Sequence, residues 1–269
     1  MNTHNRGLLA ARFLVVAAGT ALALSAVAAD APVAADKPAA SNKDIGPVKP
    51  TKPQYDTGLK PKEEITAAEQ MVFLDEHLAN IKASATLTYA FTKQGSMEKG
   101  FSDSVEEAVT LNGKSRTVKA KFLSGLNSKE FAPIDEALSN PVILHFLERD
   151  LAEMQRLTSG QPNYFRKRIR LALAEGPEAK PVKFTFNGKP VDAKAVSVEP
   201  YITDPMVNDP SRAAYKRYRG KRYTFVFSDA VPGKVAEMRF TIPDMGLAGE
   251  SAFEKPLLEE VLTLQGPKK

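Results

Sequence analysis

The sequence predicts an α+β fold: a curved antiparallel sheet of hairpins, with an N-terminal helix and a central two-helix insertion. Three observations predict it. Segments of alternating apolar and polar residues occur in both halves of the chain. They are punctuated by tight-turn dipeptides at Asn112-Gly113, Asn187-Gly188 and Pro232-Gly233. Two segments with apolar residues at helical spacing lie between them. Strands joined by tight hairpins cannot form a parallel, doubly wound sheet.

The first 28 residues read as a cleavable signal peptide. Arg6 and Arg12 supply the positive end, residues 13–26 are apolar or small, and Ala26-Val27-Ala28 is a small-x-small cleavage pattern. The apolar run is too short for an anchor, because spanning a bilayer takes about 20 residues. Residues 29–62 carry Pro32, Pro38, Pro47, Pro50, Pro53 and Pro61 among Ala, Lys and Asp. That composition predicts a disordered leader. Residues 63–269 are expected to form one α+β domain.

The domain is expected to open with a helix. Thr66 and Glu69 are spaced as a capping box, and Ala67, Met71, Leu74, Leu78 and Ile81 form one apolar face. Leu87, Tyr89 and Phe91 alternate with threonines as a half-buried strand. Val105 to Leu111 and Val118 to Phe122 flank the first Asn-Gly turn. Asn140-Pro141 marks a helix start, followed by a stripe of Ile143, Leu147, Leu151 and Met154. Gly160 and Pro162 end that helix. A second runs from Asn163 to Ala174, stopped by Gly176-Pro177. Val182, Phe184 and Phe186 pair with residues 191–198 across the second Asn-Gly. Tyr223, Phe225 and Phe227 form a strand that returns through Val235 to Ile242. The tail from Phe253 to Leu264 fits a strand or a helix.

Composition removes several chemistries. The 269 residues include no cysteine, which excludes disulfides, thiol nucleophiles, thiolate metal sites and a lipidated cysteine. There are 37 basic and 32 acidic residues; losing Arg6 and Arg12 with the signal leaves a net charge of +3. That is too mild to call for nucleic acid, and no further segment is apolar enough to span a membrane once the signal is cleaved. There is no Gly-x-Ser-x-Gly elbow and no phosphate loop, and no cofactor is expected. Beyond the signal only His77 and His145 remain. His145 and Glu148 stand three apart and could share a metal, but no third ligand is near in sequence, so no metal site is assigned. Arg149 and Glu153 are spaced as a surface ion pair.

The candidate ligand-binding residues lie in two basic-aromatic stretches. Arg166, Lys167 and Arg170 fan over the outer side of the second helix. Tyr215, Arg217, Tyr218, Arg219 and Arg222 follow a loop rich in Asp-Pro. Arginine forks suit phosphate or carboxylate, and tyrosines suit interfaces. The competing reading of both stretches is a solvated basic surface.

The stretch from Phe73 to Leu78 leading into Leu87-Thr88-Tyr89-Ala90-Phe91 resembles the opening of periplasmic lipoprotein-carrier proteins. The resemblance is architectural and carries no motif or site residue. It implies an open half-barrel around a helical lid that shelters acyl chains. The reading is a non-enzymatic periplasmic binding or envelope-maintenance protein of a Gram-negative bacterium, whose ligand is a lipid or other anionic amphiphile. Leu87, Tyr89, Phe91, Phe184, Phe186, Phe225 and Phe227 then line a concave face, or else form ordinary core. The alternatives are a carboxylate- or metal-dependent periplasmic hydrolase and an accessory partner of an envelope protein complex.

Overall fold

The structure is a computed structural model that describes residues 64–247 and 249–266. The expected signal peptide and proline-rich leader, residues 1–62, lie outside the described residues.

Eight strands form one antiparallel sheet in the order β3-β2-β1-β8-β7-β6-β5-β4. They are β1 (Ala85–Gln94), β2 (Phe101–Asn112), β3 (Ser115–Phe122), β4 (Lys180–Phe186), β5 (Lys189–Val198), β6 (Arg222–Phe227), β7 (Val235–Ile242) and β8 (Leu258–Leu264). Between β3 and β4 run α2 (Val142–Thr158) and α3 (Pro162–Ala174). Three short helices, α1 (Ala67–Glu69), α4 (Ala213–Lys216) and α5 (Ser251–Glu254), complete the set. The result is the α+β fold, with the curved open sheet and the two-helix insertion.

The ambiguous tail begins at the end of α5 with Phe253 and Glu254 and then forms β8, the strand that unites the sheet. It pairs with β1 through Phe91↔Leu262 and with β7 through Met238↔Leu262. A central strand is buried on both faces, so it lacks the alternation that betrays an edge. The turns behave as their residues require. Asn187 and Gly188 both have positive φ, 51° and 75°, as a type I′ turn needs. In the first hairpin Asn112 already pairs with Ser115. Its turn residues are therefore Gly113 and Lys114, with φ 64° at Gly113.

The N-terminal helix departs from expectation. The capping box forms, with Glu69 N donating to Thr66 Oγ1 at 3.2 Å. The helix then loosens into one π turn, Gln70–Leu74, and ends at Asp75. Tertiary bonds end it: Ser139 Oγ donates to the Phe73 and Asp75 carbonyls, and Leu78 N donates to the Leu138 carbonyl. Leu78 and Ile81 reach the core, but Leu74 is left exposed.

The helices fill the inner face of the sheet. Phe146 of α2 packs on Phe240 of β7, their ring centroids 6.1 Å apart. Asn140 fixes the start of α2. Its Oδ1 accepts from Val142 N, while its Nδ2 donates to the Tyr89 hydroxyl and the Gly233 carbonyl. Leu87, Tyr89, Phe91 and Phe225 are core residues beneath the helices. Phe184 and Phe186 differ. The register aligns them with Ala195 and Val226, on the face opposite Tyr223 and Phe225.

Candidate functional site

The inner side of α2 carries ionisable groups into the core. His145 Nδ1 lies 2.7 Å from Glu107 Oε1 of β2. Arg149 pairs with Glu260 of β8 and sits 4.9 Å from the Phe91 ring centroid. Asp150 accepts from Lys221 Nζ and from the Tyr223 hydroxyl, each at 2.5 Å. The Lys221 ammonium also lies 3.9 Å from the centroid of the Phe240 ring. Lys93 extends the chain of charges, 3.3 Å from Glu260 and paired with Glu98.

Burial in low dielectric disfavours each charged form. It raises the Glu107 carboxyl, opposed by the His145 hydrogen bond, and the Glu260 carboxyl, opposed by Arg149 and Lys93. It lowers the Lys221 ammonium, opposed by Asp150. The hollow beside Lys93, Asp150, Lys221 and Glu260 measures about 10 Å³. That holds no more than about one water. The network docks helices to strands and offers no room for a substrate.

The outer side of α2 is different. With α3 and the N-terminal segment it forms a groove of about 390 Å³. Such a volume falls in the range of roughly 300–1,000 Å³ typical of small-molecule sites. Phe73, Leu147, Leu151 and Ile169 form its apolar walls, and Arg166 and Arg170 stand at its rim. Leu144 and Ile65 also line it, 48% and 64% exposed. A second hollow of about 390 Å³ adjoins it, sharing Phe73 and Leu144 and reaching the exposed Leu138.

Arg166 forms a fork with Glu148, at 2.9 and 2.7 Å. That pair disposes of the metal reading: His145 turns inward to β2, while Glu148 turns outward to α3. Nor does Arg149 pair with Glu153 on the surface. Arg149 is buried, and Glu153 takes Arg156 instead. No carboxylate pair suited to acid-base work is assembled on α2.

No family model and no curated protein matches the chain. Two solved structures are weakly similar to it. The lipoprotein LppX of Mycobacterium tuberculosis aligns at 9% identity and a TM-score of 0.28, over 72% of this chain and 93% of that chain. LprF of Mycobacterium bovis aligns at 13% identity and a TM-score of 0.27, over 77% of this chain and 93% of that one. A likeness this slight places no residue.

The structure separates the two basic stretches. Arg166 and Arg170 face the groove, and Lys167 is exposed on the same helix. Tyr215 lies on the other flank of α3, buried, its ring stacked 5.8 Å from Phe165 and its hydroxyl donating to Asp204 at 2.6 Å. Tyr218 is buried as well, which pushes its hydroxyl up to about 12. Arg222 stacks on Phe253 at 3.5 Å and pairs with Glu199 and Glu250. Arg217 and Arg219 remain exposed. Sequence reasoning found the groove arginines but missed its apolar walls, which come from three separate segments.

Proposed function

We propose that the protein is an exported, non-enzymatic binding protein of the Gram-negative periplasm. It takes the apolar part of an anionic amphiphile into the groove between α2, α3 and the N-terminal segment. Arg170 holds the anionic head at the rim, and Arg166, already forked to Glu148, borders it. The observation that supports this reading is the groove itself: exposed leucine and isoleucine side chains line a cleft with two arginines at its edge. Contiguous exposed apolar surface of this kind marks a binding site more often than bare surface.

The test is native mass spectrometry of the protein recovered after export, followed by titration with a fluorescent long-chain fatty acid. The expected result is one bound amphiphile and saturable binding. Replacing Arg170 by Ala weakens that binding about tenfold, the size expected for one charge-assisted contact. An apo protein that takes up no fatty acid defeats the reading.

A further inference from the structure

The exposed apolar side chains that do not belong to the groove gather mostly at one other place. Met245 and Leu247, 54% and 46% exposed, stand in the connection between β7 and β8. The turn that projects them is held by Gly246 N donating to Asp244 Oδ1 at 3.0 Å and by Leu247 N donating to the Asp244 carbonyl at 2.9 Å. Ile202, 39% exposed, belongs to a neighbouring loop. The backbone after α4 joins the two. Arg219 Nε donates to the Ile202 carbonyl at 3.4 Å. Gly220 packs so closely on the Met245 loop that a Cβ there would sit 2.7 Å from Met245 Sδ.

That joining segment carries Lys216, Arg217 and Arg219, all exposed and none in an ion pair among the described residues. Five other surface arginines are paired: Arg156 with Glu153, Arg166 with Glu148, Arg212 with Asp209, Arg222 with Glu199 and Arg239 with Glu237, while Arg170 at the groove is exposed and in none of the ion pairs among the described residues. Three free cations beside three exposed apolar side chains match the two layers of an anionic bilayer surface. Apolar tips enter the headgroup boundary while cations meet lipid phosphates.

We infer that this patch docks the protein on anionic membrane. The inference goes beyond the groove, shares no residue with it, and assigns the second basic stretch a separate task. A partner that met the cations alone would leave Met245 and Leu247 in water.

The test is co-sedimentation of the exported protein with phosphatidylglycerol–phosphatidylcholine vesicles and with phosphatidylcholine alone. Binding is expected on the anionic vesicles only, and it weakens as salt shortens the Debye length. R217Q/R219Q lowers the partition coefficient about fivefold per cation removed, or roughly 25-fold together. M245S/L247S lowers it at least about tenfold through lost apolar insertion. Leu144→Ser, in the groove, binds vesicles as the unaltered protein does. The inference is overturned if the unaltered protein stays in the supernatant or binds both vesicle types equally. It is also overturned if the patch variants sediment undiminished or if Leu144→Ser alone abolishes binding. Failure of the groove reading would show instead as loss of fatty-acid binding with vesicle binding intact.

Discussion

The two sides of α2 differ in what they carry. The inner side carries His145, Arg149 and Asp150, all buried and all paired to the sheet. The outer side leaves Leu144 half in water above Leu147 and Leu151. A helix packed only for stability keeps its apolar residues inward and its charges out; here Val142, Ile143, Phe146 and Met154 do enter the core, but charges are buried among them. The inner charges reach three different strands: β2 through Glu107, β8 through Glu260, and β6 at Tyr223 beside Lys221. Buried pairs are poor sources of net stability, but removing one partner strands the other. They tie the helix to one seating on the sheet. The outer leucines do nothing for that seating. Holding the helix in place and binding a ligand therefore fall to opposite sides of one element, and they should separate under mutation.

The largest effect is expected inside. Asp150→Ala leaves Lys221 buried without its carboxylate and removes the nearer acceptor of the Tyr223 hydroxyl, leaving it the Tyr201 hydroxyl at 3.3 Å. Equilibrium denaturation should show a loss of about 3–5 kcal/mol, typical when one partner of a buried pair is removed. The double variant D150L/Lys221→Met should recover much of it, because a well-packed apolar pair has no charge to desolvate. If D150A costs less than about 1 kcal/mol, the inner side does not anchor the helix.

A smaller effect should appear in the pH dependence of stability. Burial raises the Glu107 carboxyl above its ordinary value, against the opposing hydrogen bond from His145. The folded protein therefore keeps this proton to higher pH than the unfolded chain does. Folding takes up a proton between the unfolded value, about 4.3, and the raised folded value. The stability from this group is complete below that window and is lost as pH rises through it. Glu260 acts in the same direction. Glu107→Gln should flatten the decline on the alkaline side of about pH 4.3, and denaturation midpoints at pH 4, 6 and 8 measure it. An unchanged pH profile would mean that Glu107 titrates alike in both states.

Much of the inner side was written in the sequence. Lys93 continues the inward alternation of Leu87, Tyr89 and Phe91, and Glu107 stands between Val105 and Val109. Asp150 falls on the stripe itself, three residues after Leu147 and four before Met154. Charges at core positions of a regular pattern announce a buried network, and reading Arg149 as half of a surface ion pair with Glu153 missed it. The hairpins, the two central helices and the turn at Pro232-Gly233 were legible because each rests on local chemistry. The groove was not. Its walls depend on where the N-terminal helix stops, and bonds from Ser139 and Leu138, 60 or more residues away, decide that. Leu74 reads as part of a continuous apolar stripe, yet the early stop turns it to the surface.

The smallest effect on stability, and the sharpest test of the contrast, lies at Leu144. Its side chain is already 48% exposed, so Leu144→Ser removes little buried area. Surface changes of this kind usually move stability by no more than about 0.5 kcal/mol. The same change puts a hydroxyl where the groove and its neighbouring hollow meet. Fatty-acid affinity should drop roughly tenfold, since each buried methylene lost from an apolar contact weakens it by about 0.8 kcal/mol. Denaturation and fluorescence titration on the same sample settle the matter. A stable variant that binds poorly assigns the outer side to the ligand. A variant that unfolds more easily and binds normally would make Leu144 part of the core, and the two sides of α2 would no longer differ in kind.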